Sequence, residues 1–292
     1  MFGLKKNNKA KIFAFANQKG GVGKTTTTIN LGCAIAGIGE KVLIIDLDPQ
    51  GNASTGLGVN KDDRKHSTYD VLTGEHAIMD IKLETLVQNL HIIPSTLDLL
   101  GLEAVLADDS KKSYKLKLAV EELEAQSKIQ FDYILIDCPP SLNLLTINAL
   151  AAADALIVPL QCEFYALEGL GQLLETVEHV RTTLNKDLLI HGVLLTMFDE
   201  RNNLSGQVAK DVRDFLGDKV YKTVIPRNVR VSEAPSYGKP VILYDYKCQG
   251  SQAYMNLAAE VLKKDKTVYN NNFCLLYTSD AADEEDSVDL GG

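Results

Sequence analysis

Short apolar runs alternate with longer amphipathic stretches along residues 11–264 of this sequence. Runs such as VLIID at 42–46 and YILID at 133–137 are apolar up to a final Asp, which is typical of strands covered on both faces. The repeated alternation of strand and helix predicts an α/β fold with a doubly wound, mostly parallel sheet flanked by helices. Predicted strands lie at 12–16, 42–46, 90–94, 133–137, 155–160, 189–197 and 220–225, and the clearest helices at 25–38, 115–125, 167–183, 204–215 and 251–264.

Residues 11–266 contain no evident linker, repeat or low-complexity tract, so we expect a single domain after a short polar lead at 1–10. The content of 45% hydrophobic and 24% charged residues excludes a mostly disordered or coiled-coil chain. Five scattered cysteines without a C-x-x-C pair favour a reducing compartment over disulfides or structural zinc. No run approaches the ~18 apolar residues of a membrane span, so we expect a cytoplasmic protein without membrane contact.

The last residues, 274–292, differ in composition from the rest of the chain. They contain six acidic residues and no Lys or Arg, and without them the net charge of −9 falls to −3. The blocks CLLYTSDAAD and VDLGG, which flank residues 284–287, resemble translated sequencing-library adapter. We interpret this segment as an artefact and expect it to be disordered, with a natural acidic tail as the alternative. On the artefact interpretation, we expect 267–273 to be the truncated approach to the true C-terminus.

The first predicted strand leads into a glycine-rich loop with the features of a phosphate-binding site. Gly23-Lys24-Thr25 fits the end of the general phosphate-loop pattern, although Gln18 stands where the pattern has its leading Gly. The glycines allow backbone N–H groups to approach phosphate oxygens, and the following helix offers its positive end. We expect Lys24 to reach the β- and γ-phosphates and Thr25 to bind Mg²⁺. The predicted nucleotide-binding residues of this loop are Lys19, Gly20, Gly21, Val22, Gly23, Lys24, Thr25 and Thr26.

Three acidic residues follow predicted strands that should end at the same edge of the sheet. Asp46 and Asp48 follow the second strand, and Asp137 ends the strand YILID. We expect Asp137 to hold Mg²⁺ through water and Asp48 to orient the attacking water, because no Glu follows Asp137 to do so. Asp46 is expected to support either the magnesium shell or the loop.

The second lysine of the loop, in Lys19-Gly20-Gly21-Val22-Gly23-Lys24-Thr25, resembles the deviant Walker A box of the ParA, MinD and nitrogenase-iron-protein group of dimeric ATPases. The resemblance implies a P-loop NTPase in which Lys19 contacts the other subunit's phosphates within an ATP-sandwich homodimer. Catalytic roles then fall to Lys19, Lys24 and Asp48, with ATP and Mg²⁺ bound.

Four blocks together, at 17–28, 46–54, 137–142 and 224–235, resemble the small chromosomal ParA type called Soj, over roughly residues 11–264. This resemblance implies an adenine pocket at Pro226 and its neighbour Arg227, sequence-independent binding of double-stranded DNA through Arg201 and Arg230, and ATPase stimulation by a ParB-type partner. The segment 201–247 carries nine Lys or Arg against five Asp or Glu, which suits phosphate contacts. The expected function is nucleoid-associated DNA segregation.

Two alternatives remain open from the sequence. A MinD-like membrane-cycling ATPase would need an amphipathic C-terminal helix, and residues 261–266 have few bulky apolar positions. A redox relative of the nitrogenase iron protein would need cluster-ligand cysteines, and Cys138 and Cys162 lack the expected spacing and Gly context. The sequence leaves open whether a chromosome or a plasmid is partitioned.

Overall fold

A computed structural model describes residues 9–126 and 131–282 of the chain, and its centre is a seven-stranded sheet with the order β3-β4-β2-β5-β1-β6-β7. The strands are β1 Lys11–Phe15, β2 Val42–Asp46, β3 Leu83–Glu84, β4 Leu90–Ile93, β5 Tyr133–Asp137, β6 Ala155–Gln161 and β7 Leu189–Thr196. The helices are α1 Lys24–Gly37, α2 Asn52–Gly56, α3 Thr68–Thr73, α4 Ile78–Ile81, α5 Leu102–Val105, α6 Lys115–Gln126, α7 Leu144–Ala152, α8 Ala166–Thr183, α9 Asn203–Leu216, α10 Val229–Glu233, α11 Val241–Tyr244 and α12 Gln249–Ala282.

Strand pairing brings the carboxyl ends of three central strands together. β1 pairs in parallel with β5 and β6, and β2 pairs in parallel with β4 and β5. Only the β3–β4 pair is antiparallel among the described pairs. The register places Asp137 opposite both Phe15 and Asp46, so the loops that follow β1, β2 and β5 leave the sheet side by side.

The two faces of the sheet are buried in two hydrophobic clusters, because successive strand residues point to opposite sides. In β1, Ile12 and Ala14 pack on the side of α6, α7 and α8, whereas Phe13 and Phe15 pack on the side of α1 and α12. Helix α1 lies close against the sheet at Gly32, where a Cβ would be 3.0 Å from Ile44 Cδ1. This close packing fixes the position of the helix that follows the glycine-rich loop.

The predicted strand at 220–225 is wrong, although the segment does lie beside β7. The backbone N–H groups of Tyr221 and Ile225 bond to carbonyls of β7 at 3.0 and 2.9 Å. Between them, the amides of Lys222 and Thr223 donate instead to the Glu260 carboxylate of α12, at 2.7 and 2.9 Å. The Glu260 side chain thus accepts the hydrogen bonds of two amides in the segment where the sequence predicted a strand.

Helix α12 continues to Ala282, and the disorder expected for 274–292 stays a prediction. Residues 251–282 contain no Gly or Pro that would end a helix, which is the physical reason for its length. Residues 283–292 and 1–8 lie outside the described residues, and the adapter origin of the C-terminal segment stays a prediction. None of the helices in the described ranges is long and apolar enough to span a membrane.

Candidate active site

The glycine-rich loop after β1 is held in a fixed shape by its neighbours in the sheet. Gly21 and Gly23 have φ of 74° and 89°, a left-handed conformation that favours glycine, and Gly23 is the N-cap residue of helix α1. The Thr196 hydroxyl at the end of β7 donates to the Val22 carbonyl at 2.8 Å, and Asn17 Nδ2 donates to the Pro159 carbonyl of β6 at 2.8 Å. The loop is therefore preorganised for a ligand at the start of α1.

Lys24 is buried at the mouth of this loop. Its Nζ donates to the carbonyls of Asn17 and Lys19, at 3.0 Å each, and so spans the loop from the inside. Burial lowers the pKa of Lys24, and the nearby negative charges of Asp137 and Asp48 partly oppose that shift. No acidic residue occupies the first turn of α1. An anion at this position would meet a cation and the positive helix end together.

Asp137, at the end of β5, has the character of a cation ligand. Its side chain is fully buried, and its Oδ2 has no hydrogen-bond partner within the described part of the chain. Its Oδ1 accepts from the Thr28 hydroxyl at 3.3 Å. Burial raises the pKa of Asp137 well above the usual range and Asp46 adds to the shift, while the nearby Thr25 hydroxyl and the charge of Lys24 oppose it. A buried carboxylate oxygen beside a threonine hydroxyl is a donor set that suits Mg²⁺.

Asp46, opposite Asp137 in register, accepts hydrogen bonds on both carboxylate oxygens from the turn after β2 and from α2. Its Oδ2 accepts from the Ser54 amide at 2.9 Å and the Ser54 hydroxyl at 2.7 Å, and its Oδ1 accepts from the Asp48 amide at 3.2 Å. Burial raises the pKa of Asp46 to about 6, against the effect of these hydrogen bonds. Of the two roles that the sequence left open, these contacts support the loop role.

The turn after β2 brings Asp48 close enough to Lys24 for its negative charge to act on the pKa of Lys24. Asp48 is buried, and its Oδ1 accepts from the Gln50 amide at 2.9 Å. Gly51, with φ of 62°, is the N-cap residue of α2. Arg64 braces the turn by donating to the carbonyls of Ser95 and Val59, at 3.2 and 2.9 Å. The structure thus brings together Lys24, Asp48 and Asp137, as the sequence predicts.

The Lys19 side chain contacts a residue that follows β6. Its Nζ forms an ion pair with the carboxylate of Glu163, which also accepts a hydrogen bond from the Gln161 amide. The two charged side chains are 41% and 46% exposed. Phe164 and Tyr165, which follow Glu163, are both strongly exposed. Sequence reasoning missed Glu163, because nothing in the spacing of the two motifs pairs it with Lys19.

Comparison with known proteins assigns the family. Residues 10–190 match the family described as AAA domain. The chain is 59% identical over 259 residues to the chromosome partitioning protein ParA of Caulobacter vibrioides, covering 89% of this chain and 96% of that protein. It is 48% identical over 255 residues to the chromosome-partitioning ATPase Soj of Treponema pallidum, covering 87% and 98%. The chain belongs to the ParA/Soj family.

A solved structure is similar in fold as well. The Mycobacterium smegmatis protein named cobyrinic acid a,c-diamide synthase, with bound ADP and magnesium, superimposes with a TM-score of 0.77 at 37% identity, over 88% of this chain and 96% of that one. The predicted resemblance to ParA/Soj proteins and the predicted P-loop fold are therefore confirmed. The MinD-like alternative is not favoured, because the partitioning proteins quoted above match this chain at 59% and 48% identity.

Pro226 and Arg227, where the ParA/Soj resemblance implies an adenine pocket, line an open cleft of about 650 Å³. Pro226 pairs with Phe198 just beyond β7, and a Cβ at Gly23 would touch the neighbouring Met197 at 4.0 Å. Met197 has φ of 50°, which is uncommon for a residue with a side chain. Met197 therefore lies between the glycine-rich loop and Pro226. Sequence reasoning missed this residue.

The two arginines that the ParA/Soj resemblance assigns to DNA are exposed but ion-paired. Arg201, 89% exposed, donates to both oxygens of Asp199, at 3.0 and 3.1 Å. Arg230 pairs with Glu233 at 3.0 Å and lies 3.5 Å from Asp245. Arg201 lines the same cleft as Arg227 and Lys247, whereas Arg230 lies outside the lining of that cleft.

Proposed function

We propose that this protein is an ATP-dependent DNA-segregation ATPase. It dimerises around ATP, binds double-stranded DNA without reading its sequence, and hydrolyses ATP when a ParB-type partner stimulates it, so that a chromosome or plasmid is partitioned on the nucleoid in the cytoplasm. The observation that carries the proposal is the buried Lys24 beside Asp137, at the mouth of a preorganised loop, in a chain of the ParA/Soj family.

Binding of ATP falls to the loop and the start of α1. The backbone N–H groups of residues 20–26 and Lys24 Nζ would hold the phosphates, because the start of α1 and the lysine together attract negative charge. Thr25 and Asp137 would hold Mg²⁺, with Asp137 acting through water. When bound there, Mg²⁺ would neutralise negative charge on the phosphoryl oxygens.

Hydrolysis falls to Asp48. Phosphoryl transfer depends mainly on positioning and on charge stabilisation, so the group that orients the attacking water controls the rate. Asp48 suits this role because the Gln50 amide and the braced turn fix its carboxylate near Lys24. Cys138, which follows Asp137, offers no carboxylate that could do the same.

Dimerisation requires Lys19 to exchange partners. In the single chain Lys19 contacts Glu163, and in the ATP-bound dimer it contacts the phosphates bound to the other subunit. The exposure of the ion pair supports this exchange, because a half-exposed pair is held only weakly.

DNA binding falls to Arg201 and Arg230, through phosphate groups. Their present acidic partners are exposed or half-buried, so a DNA phosphate can replace them. A contact to phosphate carries no sequence information, and each one adds nearly one unit to the log–log salt dependence of binding.

The test separates binding, dimerisation and hydrolysis. Asp48→Ala should remain an ATP-bound dimer that holds DNA and releases little phosphate, whereas Lys19→Ala should bind ATP as a monomer. Light scattering after size exclusion, with a phosphate-release assay, measures both. Arg230→Ala should dimerise normally but bind all DNA sequences more weakly.

Two exposed residues away from the loop provide matched controls, Asp62→Ala and Lys61→Ala, and both should behave as wild type. The proposed mechanism is wrong if Asp48→Ala hydrolyses ATP at the wild-type rate or stays monomeric with ATP.

A further inference from the structure

Two histidines and an aspartate meet on the surface near α3, outside the nucleotide site. One ligand atom from each of His66, Asp70 and His76 lies within 4.8 Å of the others. His66 Nδ1 is 3.6 Å from Asp70 Oδ1, and the two imidazole rings are 4.1 Å apart between centroids, with their planes tilted by 49°. These residues have no role in the function proposed above.

The backbone around α3 brings the three side chains together. Ser67 caps the helix and Asp70 caps it in return, since Asp70 Oδ2 accepts from the Ser67 amide at 2.7 Å. Gly74, with φ of 83°, ends the helix and reverses the chain. The His76 amide then donates to the Asp70 carbonyl at 3.2 Å. His66 before the helix and His76 after it therefore converge on Asp70 from opposite ends.

The capping arrangement also orients the carboxylate. One oxygen of Asp70 is engaged by Ser67, and the other faces His66. A carboxylate held by a second hydrogen bond in this way is characteristic of metal ligands, whose outer contacts fix their orientation. His66 is exposed, and Asp70 and His76 are partly exposed, so small side-chain rotations can bring all three onto one ion.

We propose that His66, Asp70 and His76 form a binding site for a divalent transition-metal ion such as Zn²⁺. Two imidazoles and one carboxylate are a borderline donor set that suits Zn²⁺, Ni²⁺ or Cu²⁺, whereas Mg²⁺ and Ca²⁺ prefer oxygen ligands alone. Water completes the coordination on the exposed side. The site is thus distinct in chemistry from the magnesium site at Thr25 and Asp137.

A metal here would link the two ends of α3 and stabilise the segment 64–76. That segment contacts the two elements that flank the turn after β2, namely the last residue of β2 and helix α2. The Thr68 hydroxyl donates to the Asp46 carbonyl at 2.8 Å, and Arg64 donates to the Thr55 hydroxyl at 2.7 Å. A bound metal would therefore stabilise the elements on either side of the turn that carries Asp48. It would not act on the nucleotide directly.

The test uses the full chain without a histidine tag, with Cys248 and Cys274 changed to Ser so that their thiols do not compete for the metal. After EDTA treatment and dialysis into buffer with excess Mg²⁺, Zn²⁺ is titrated against a chromophoric chelator. We expect one equivalent to bind. His66→Gln/His76→Gln should lose at least about 100-fold in affinity, and Asp70→Asn, which keeps an acceptor for the Ser67 amide, about tenfold or more. His179→Gln, on an exposed face of α8, is the matched control and should bind as the parent does.

Two further readouts exclude a purely structural effect. Electron paramagnetic resonance of one equivalent of Cu²⁺ should show coupling to two imidazole nitrogens, which the double variant should lose. Hydrogen exchange of the amides at 67–76 should slow on adding Zn²⁺ to the parent protein only. The proposal is overturned if the double variant binds Zn²⁺ as the parent does, if His179→Gln loses as much affinity, or if the copper spectrum shows no nitrogen coupling.

Discussion

Replacing Glu163 by Gln should favour the ATP-bound dimer. In the single chain, the carboxylate of Glu163 holds Lys19 beside the start of α8. Dimerisation as proposed requires that Lys19 leave this partner. Glu163→Gln keeps the shape of the side chain and removes the charge, so Lys19 is released in the monomer while its contacts in the dimer are unchanged.

The expected size follows from the exposure of the pair. Side chains that are 41% and 46% exposed form a surface ion pair, which typically contributes about 0.2–1 kcal/mol. Each of two subunits breaks one such pair on dimerisation, so the variant gains about 0.4–2 kcal/mol per dimer. That is a fall of roughly 2- to 30-fold in the dimer dissociation constant.

Sedimentation equilibrium with a non-hydrolysable ATP analogue measures this constant directly. Glu168→Gln removes a charge from the exposed first turn of α8 without touching Lys19, and should leave dimerisation unchanged. The effect should also shrink at high salt, because the pair is screened. An unchanged or weaker dimer in Glu163→Gln would refute the reasoning, since it would mean that Glu163 does not compete with the dimer for Lys19.

Two further predictions concern stability. Gly51→Ala should cost about 1–3 kcal/mol in urea unfolding, because the new Cβ would lie 2.1 Å from Arg64 Nη1 at a φ of 62°; Gly74→Ala, with φ of 83° and open space, should cost less and would contradict this if it cost as much. His191 is buried and its pKa is lowered to about 3, so the unfolded chain takes up a proton first and stability should fall by roughly 1.4 kcal/mol per unit as pH drops below ~6.5. Urea unfolding of His191→Gln at several pH values should lack that component of the slope, and an equal slope in both proteins would contradict the assignment.

Local periodicity predicted most of the sheet because its central strands are buried on both faces. β2 and β5 appear in the sequence as unbroken apolar runs, and the structure has both with the predicted bounds. The error at 220–225 has a non-local cause, since Glu260 takes the amides of a segment 38 and 37 residues away. β3 escaped prediction because two residues carry no periodic signal.

In the candidate site, too, the local features were predictable from the sequence and the long-range contacts were not. Its phosphate loop is local in sequence, so Lys24 and Thr25 are recognisable from the spacing alone. The contacts that set the state of the site join distant segments: Lys19 with Glu163, the Val22 carbonyl with Thr196, and the turn at Gly51 with Arg64. No pattern within a single segment predicts such pairs, so they become visible only in the folded structure.

The two aspartates at the ends of β2 and β5 show that hydrogen-bond partners can determine which role a carboxylate takes. Both follow apolar strand residues, both are fully buried, and they lie opposite each other in register. Asp46 has both oxygens occupied, because the Asp48 amide donates to Oδ1 and the amide and hydroxyl of Ser54, in α2, donate to Oδ2. Asp137 keeps Oδ2 without a partner in the described structure, beside Thr25 and Lys24. A buried carboxylate oxygen without a partner is costly, and a bound cation removes that cost. The same sequence signal thus produces a brace at one strand end and a candidate ligand at the next, and the difference comes from a serine eight residues beyond Asp46.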